Sequence, residues 1–200
     1  MSADKPAHET PIFPPSAAVS ERAHVQSLEQ YHELYDRSIN DPDGFWTEHA
    51  ERLHWIEKWH TLTESDFDKA QIRWFIGGKL NACYNCVDRH VDDGHGEDTA
   101  LIWEGNDPNE SRTFTYAELQ AEVQKAANAL KDLGLAKGDR VCIYMQMIPE
   151  LVIAMLACTR IGVVHSIVFG AFSSDSLVTR INDSECKGNL TQETVGRRHK

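Results

Sequence analysis

Two cysteines and two histidines form the arrangement in this chain that most resembles a metal site. Cys83, Cys86, His90 and His95 follow the pattern C-x2-C-x3-H-x4-H. Thiolate and imidazole groups are the ligands that zinc prefers, so the pattern is compatible with a small zinc-binding module. Cys83, Cys86 and His90 also share one face of a predicted helix, and the glycine and aromatic pattern of a zinc knuckle is missing. The sequence favours the helix and leaves zinc binding as an alternative.

Other candidate nucleophiles and bases lack a catalytic context. Ser166 and Ser173 stand outside a G-x-S-x-G elbow. His165 lies within an apolar run, which favours a core histidine, and Cys142 and Cys158 lie among apolar residues, which favours structural cysteines. The phosphate-binding patterns G-x-x-x-x-G-K-[ST] and G-x-G-x-x-G do not occur in the sequence. The residue types alone therefore predict no catalytic group.

A strand–helix–strand unit in the second half of the chain could position a ligand. Residues 141–145 and 163–169 are two apolar runs. Between them, Pro149 suits the first position of a helix, and Gly162 suits the position just after its end. Two apolar strands joined by a helix are predicted to be parallel, with a right-handed crossover and with both faces buried.

The ends of these two strands indicate where a ligand is expected. Ligands of open parallel sheets bind beyond the carboxyl ends of the strands. Residues 145–149 and 169–173 follow those ends and form the predicted ligand rim. The residues alone therefore predict an α/β domain with a ligand rim, but they do not define its chemistry.

The sequence divides into four segments. Residues 1–22 are rich in Pro, Ser and Ala and are predicted to be disordered. Residues 23–80 contain two predicted capped helices and many aromatic side chains, which either lie across another surface or form an ordinary core. Residues 81–187 contain a predicted short helix, a hairpin, a helix with its apolar face from Leu119 to Leu133, and the strand–helix–strand unit. Residues 188–200, GNLTQETVGRRHK, contain no apolar β run and are predicted to be an aberrant tail.

Charge and cysteine content restrict the partners and the compartment. The formal net charge of −11 argues against nucleic acid or an anionic membrane as a partner. No apolar run is long enough to span a bilayer, and the amino terminus lacks the apolar core of a signal peptide. Five cysteines at irregular spacing do not indicate a disulfide framework. We expect a cytoplasmic protein.

Several longer phrases resemble one enzyme family. They are WEGNDPNESRTFTYAEL, KGDRVCIYMQMIPE, AMLACTRIG and HSIVFGAFSSDSL, together with Phe45-Trp46, Trp74-Phe75 and N-x-x-x-N-x-x-D-R-H from Asn81 to His90. In this order they resemble the AMP-forming acetyl-CoA synthetases of the adenylate-forming ligase superfamily, from about residue 24 to residue 187. The resemblance implies an N-terminal arm followed by the opening βαβ units of the parallel sheet of the large ligase domain. The WEG phrase with HS-x-V-F-G resembles the acetate enzyme more than the propionate enzyme.

The family resemblance implies a two-step reaction. Acetate and ATP, with Mg²⁺, give acetyl-AMP and pyrophosphate, and the thiol of CoA then takes the acetyl group. Phe169, Gly170 and Ala171 match the family's Phe-Gly-Gly turn, which lines the CoA channel, with Ala171 in place of the second glycine. Gln146 stands where the family usually has proline.

The resemblance also implies that this chain lacks the catalytic groups. The family's phosphate loop, acetate pocket and acylation lysine lie beyond the matched region, and the family continues after Lys187 with an apolar strand. We therefore expect the chain alone to be inactive and to bind ATP, CoA or Mg²⁺ weakly at best. An alternative is a non-catalytic fragment that docks on the full-length enzyme.

Overall fold

The computed structural model describes residues 13–107 and 109–192, which fall into two compact units divided after Arg52. The first unit contains three helices: α1 (Ala17–Ser20), α2 (Leu28–Asn40) and α3 (Pro42–Ala50). Ser27 and Asp41 cap α2 and α3, each accepting a hydrogen bond from a backbone N–H of the first turn. The two predicted capped helices are therefore confirmed. Helix α1 lies within the segment predicted to be disordered, whereas residues 1–12 of that segment lie outside the described residues.

The second unit is a mixed α/β fold with three small sheets. Its elements are β1 (Thr61–Asp66), β2 (Gln71–Ile76), two π-helical turns (Tyr84–Asp88 and Val91–His95), β3 (Thr99–Glu104), β4 (Ser111–Thr115), α4 (Tyr116–Asp132), β5 (Arg140–Met145), α5 (Pro149–Ile161), β6 (Val164–Phe169), α6 (Ser174–Asp183) and β7 (Gly188–Thr191). β1 and β2 form one antiparallel hairpin, and β3 and β4 form another. The remaining strands form a parallel sheet in the order β6–β5–β7.

The aromatic side chains beside the first hairpin pack on one another. The ring centroids of Trp55, Trp59 and Phe75 lie 4.9 to 5.4 Å apart. Gly78 allows this packing because a Cβ atom there would lie 2.6 Å from the Trp55 ring. These three half-buried aromatic side chains therefore form a small local cluster.

The strand–helix–strand prediction is confirmed. β5 and β6 are parallel and in register from Arg140 to Met145, and Pro149 is the first residue of α5. Gly162 ends α5 with a φ of 74°, in the left-handed region that glycine adopts without strain. These local signals fix the connection, since proline can begin a helix and glycine can end one.

The core lies between the parallel sheet and two helices. α4 begins with the predicted capping box of Thr115 and Glu118, and it packs against α5. Its predicted apolar face is confirmed at Leu119, Val123 and Leu130, which are buried, but Leu133 is 75% exposed. Leu133 follows the last residue of the helix, so its side chain leaves the buried face.

Burial on both faces, which was predicted for the parallel sheet, holds for β5 but not for β6. In β5, Val141 and Ile143 on one face and Cys142 on the other are at most 1% exposed. In β6, by contrast, Val164, Ile167 and Phe169 are 56%, 45% and 61% exposed. The prediction is wrong for β6 because this strand lies at an edge of the sheet within the part of the chain that the structure describes.

No helix in the described residues is both long and apolar enough to cross a membrane.

Strand β7 corrects the prediction that no strand follows Lys187. β7 pairs with β5 in parallel, and the side chain of Leu190 packs against the core. The Nζ atom of Lys187 lies 2.7 Å from the Oδ1 atom of Asp139, at the start of β5. The strand was missed because a single large apolar residue gives no β pattern, so its pairing with β5 is a tertiary effect.

The Asp139–Lys187 ion pair is expected to make stability depend on pH. The Asp139 carboxylate accepts a hydrogen bond from the Lys187 side chain and another from the Ala136 N–H. These two bonds, the first more than the second, hold the pKa of Asp139 below its ordinary value. The carboxylate therefore stabilises the fold above a pH of roughly 4, and this contribution is lost as the pH falls through the lowered pKa. Asp139→Asn should reduce the fall in Tm between neutral and acidic pH. Asp183→Asn, on an exposed carboxylate of α6, should leave that fall unchanged, and equal effects of both substitutions would contradict the prediction.

Candidate functional site

A cleft of about 400 Å³ lies at the predicted ligand rim. Because β5 and β6 are parallel, their carboxyl ends meet at one edge, where Met145 and Phe169 are register partners. The cleft is lined by Trp103, Glu104, Gly105, Asn106, Gln146, Met147, Ile148, Phe169, Gly170 and Ala171. The three residues predicted for the site therefore lie together at a concave surface, as expected beyond strand ends.

The β3–β4 hairpin forms one wall of the cleft, beside the segments that follow β5 and β6. The Nε1–H group of Trp103 donates a hydrogen bond of 2.7 Å to the carbonyl oxygen of Met147. The hairpin then turns at Gly105, whose N–H donates to the carbonyl of Glu110. In the sequence, the WEG phrase is notable only for its family resemblance, and nothing in it predicts a place beside the rim. No local pattern predicts this contact, since Trp103 and Met147 are 44 residues apart.

The turn after β6 approaches the end of β5 closely. A Cβ atom on Gly170 would lie 3.3 Å from the carbonyl oxygen of Met145, so the backbones pass with little room for a side chain. The rings of Phe169 and Phe172 meet edge to face with centroids 6.4 Å apart. Ala171 is exposed, so its methyl group adds bulk at the cleft surface without displacing the core.

The chemistry of the cleft is that of a binding surface. Of the described residues that line it, Glu104 is the one with an ionisable side chain, and the others supply backbone groups, amides and apolar surface. Such a lining can hold a ligand by shape and neutral hydrogen bonds. It does not offer the nucleophile with a neighbouring base that covalent catalysis requires.

The structure does not bring the proposed zinc ligands together. Within the described residues, no group of three or more His, Cys, Asp or Glu side chains is placed to hold a metal ion. Instead, the Sγ atom of Cys83 faces Asp88, the ring of His90 stacks on Tyr116, and His95 pairs with Asp98. The helix interpretation of this segment is therefore the one that fits.

Burial accounts for the candidate cysteine nucleophiles and for His165. It raises the pKa of the Cys83 and Cys142 thiols, and it raises the pKa of Cys158 to about 11. These thiols are therefore protonated at neutral pH and are poor nucleophiles. Burial also lowers the pKa of His165, which lies beside apolar residues of α5 such as Met155. Its imidazole is therefore neutral at pH 7.

A second cleft, of about 420 Å³, surrounds an ion pair that the sequence did not reveal. The guanidinium group of Arg160 binds both carboxylate oxygens of Asp88, at 2.8 and 2.9 Å. Gln120 donates a further hydrogen bond of 2.9 Å to the same carboxylate. The hydrogen bond to Asp88 raises the pKa of Arg160, so the guanidinium group stays charged. The pair connects α5 to the π-helical turns.

Two asparagines of the N-x-x-x-N-x-x-D phrase also make structural contacts. Asn81 donates to the carbonyl oxygens of Thr159 and Arg160, at the end of α5. Asn85 is buried and bonds both the N–H and the carbonyl of His54. The two asparagines therefore satisfy backbone groups at His54 and at the end of α5, whereas Asp88 binds the side chains of Arg160 and Gln120. These structural contacts therefore account for the N-x-x-x-N-x-x-D phrase without a ligand.

The bond between Trp103 and Met147 gives a testable prediction. Trp103→Phe keeps an aromatic ring but removes the donor, so we expect the free energy of unfolding to fall by about 1 kcal/mol. Chemical denaturation measures this change. Trp59→Phe, which keeps a ring in the aromatic cluster of the first hairpin, is the matched control. If both variants lose the same stability, the hydrogen bond contributes nothing specific.

Comparison with known proteins identifies two family regions. Residues 31–86 match the family model described as "Acetyl-coenzyme A synthetase N-terminus", and residues 87–200 match the one described as "AMP-binding enzyme".

Curated relatives cover most of this chain. The proteins named acetyl-coenzyme A synthetase from Magnetococcus marinus and Alkalilimnicola ehrlichii are 52% and 49% identical to it over 183 and 186 residues, or 91% and 92% of its length. The protein of that name from Rubrobacter xylanophilus is 55% identical over 161 residues, or 80% of this chain and 25% of its own length. The chain spans 28% of the length of the first two relatives and matches their N-terminal part.

Proposed function

The chain belongs to the AMP-binding enzyme family, and from this premise we propose that it is the N-terminal portion of an acetate–CoA ligase. The observation that carries the proposal is the cleft at the ends of β5 and β6. Two family-like phrases that are far apart in sequence, WEG at 103–105 and FGA at 169–171, line this one cleft. Convergence of this kind is expected if both phrases serve one ligand.

In this proposal the complete enzyme forms acetyl-AMP from acetate and ATP, and CoA then accepts the acetyl group. The segment described here contributes Phe169, Gly170 and Ala171 to the CoA side of the site. The described residues of the cleft include no Lys or Arg and a single carboxylate, Glu104. They therefore supply neither charge neutralisation for phosphates nor an oxygen-rich ligand set for Mg²⁺. We assign the ATP and Mg²⁺ sites to other parts of the enzyme.

A CoA titration of the isotope-labelled chain tests the proposed binding surface. We expect weak binding, with NMR shift changes confined to residues 103–106, 146–148 and 169–171. Ala171→Gly removes the extra methyl group and should bind CoA at least as well. Acetate alone is the control ligand. Shift changes elsewhere, or no change at millimolar CoA, would overturn the assignment of this cleft.

A pyrophosphate-exchange assay tests the proposed inactivity. With acetate, ATP and Mg²⁺, the purified chain should show only background exchange, because its cleft lacks groups that stabilise the charge of the adenylation transition state. Exchange clearly above background would show that the chain forms acetyl-AMP and that this part of the proposal is wrong.

The exposed edge of β6 supports a second candidate function, docking on the full-length enzyme. Ile167 is 45% exposed on this edge strand. The unpaired backbone N–H and C=O groups of an apolar edge strand can pair with a strand of another chain. A pull-down with full-length acetyl-CoA synthetase tests the idea. Ile167→Lys should abolish capture, and capture that survives this substitution would exclude the β6 edge as the docking surface.

The proposal also includes a cytoplasmic location and excludes nucleic acid and membranes as partners. The five cysteines are all free, which suits a reducing compartment. The net charge of −11 disfavours polyanionic partners. Fractionation of cells that express the chain would test the location.

A further inference from the structure

The Tyr144 hydroxyl group lies against the turn that follows β6. Its oxygen is 3.1 Å from the carbonyl oxygen of Gly170 and 2.9 Å from that of Phe172. A phenol has one proton, so it donates to these two carbonyls as a shared bond. Tyr144 therefore connects the central strand of the sheet to both sides of Ala171.

The position of Tyr144 in β5 makes this contact possible. Val141 and Ile143 face the core cluster under the helices, and side chains alternate along a strand. Tyr144 therefore points to the opposite face of the sheet. It is only partly buried, and its ring extends past the end of the strand toward the turn.

Among the described residues the turn has few other polar contacts, apart from the Arg180 guanidinium group of α6, which lies 4.7 Å from the centroid of the Phe172 ring. The Phe172 N–H donates to the Phe169 carbonyl at 3.0 Å, and Ser173 caps α6 by accepting from the Ser176 N–H. Both bonds are local, so they shape the turn without fixing it to the sheet. The Tyr144 hydroxyl supplies a link from the turn to β5, across 26 and 28 residues of sequence.

We infer that Tyr144 is a positioning residue that sets the distance between the 169–171 turn and the 146–148 loop across the cleft. The effect on a ligand rests on the proposed function, since CoA is the ligand proposed for this cleft. The effect on the turn itself does not, because it follows from the two hydrogen bonds. Tyr144 acts through the backbone of Gly170 and Phe172.

Hydrogen exchange of Tyr144→Phe tests the positioning role directly. Loss of the hydroxyl should speed exchange of the Phe172 amide about fivefold, as expected for one lost hydrogen bond, with exchange in α5 unchanged. Tyr84→Phe is the matched control, because it removes a hydroxyl that donates to Asp92 instead. Unchanged exchange in the turn, or equal acceleration throughout the chain, would overturn the inference.

A CoA titration of the same variant separates the two proposals. If the cleft binds CoA and Tyr144 positions it, the dissociation constant should rise several-fold in Tyr144→Phe while Tm changes little. An unchanged dissociation constant would overturn the ligand effect. If the parent chain shows no CoA-dependent shifts, the proposed function fails, whereas the exchange measurement still decides whether Tyr144 holds the turn.

Discussion

Asp88→Asn is expected to lower the free energy of unfolding by about 3 kcal/mol, as in other proteins in which one partner of a buried ion pair is removed. The Asp88 side chain is 10% exposed, and that of Arg160 is 26% exposed. Asparagine has nearly the same shape, but its amide offers one acceptor where the carboxylate has two. The guanidinium group therefore stays in the cleft with its charge uncompensated.

Chemical denaturation of paired variants measures this effect. Asp92→Asn is the matched control, because Asp92 lies in the next π-helical turn but is exposed and accepts a bond from Tyr84. It should cost no more than about 0.5 kcal/mol, as is usual for surface substitutions. A double variant, Asp88→Leu with Arg160→Met, should regain most of the lost stability. Equal losses in Asp88→Asn and Asp92→Asn would show that the pair contributes little.

The sequence predicted those parts of the fold that depend on local signals. Helix α5 (Pro149–Ile161) with Gly162 after its end, the two flanking strands and the β3–β4 hairpin are all confirmed, with boundaries within a residue or two. Each of these elements begins or ends at a residue type or motif that specifies the backbone conformation of the neighbouring three or four residues. Proline, a capping box and a left-handed glycine are markers of this kind. Family resemblance then predicted the residues of the turn after β6.

Contacts between distant segments could not be predicted in the same way. Asp88 and Arg160 are 72 residues apart, and nothing near either residue indicates a partner. β7 forms because β5 has an edge that can pair with it and because Lys187 forms an ion pair with Asp139. Its own four residues do not favour a strand. The burial of β6 was overestimated for a related reason, since an apolar pattern does not reveal whether a strand is central or at an edge.

Ile143→Ala is expected to lower the free energy of unfolding by about 4 kcal/mol, which is near the upper end for loss of a buried aliphatic side chain. Ile143 is completely buried in the middle strand of the parallel sheet, where Ile167 of β6 and Leu190 of β7 are its register partners. Alanine leaves a cavity there, because paired strands on both sides limit how far the backbone can move to fill it. Chemical denaturation at constant m value measures the change.

Ile167→Ala provides a control of the same residue type in the adjacent register position. Ile167 is 45% exposed, so it loses less apolar burial and leaves no closed cavity. We expect a loss of about 1 kcal/mol or less. If Ile143→Ala loses much more free energy of unfolding than Ile167→Ala, β5 contributes more to the stability of the sheet than β6, and β6 is an open edge in solution. Similar losses would instead mean that another surface covers Ile167, through self-association or a partner strand, and the concentration dependence of Tm would then identify self-association.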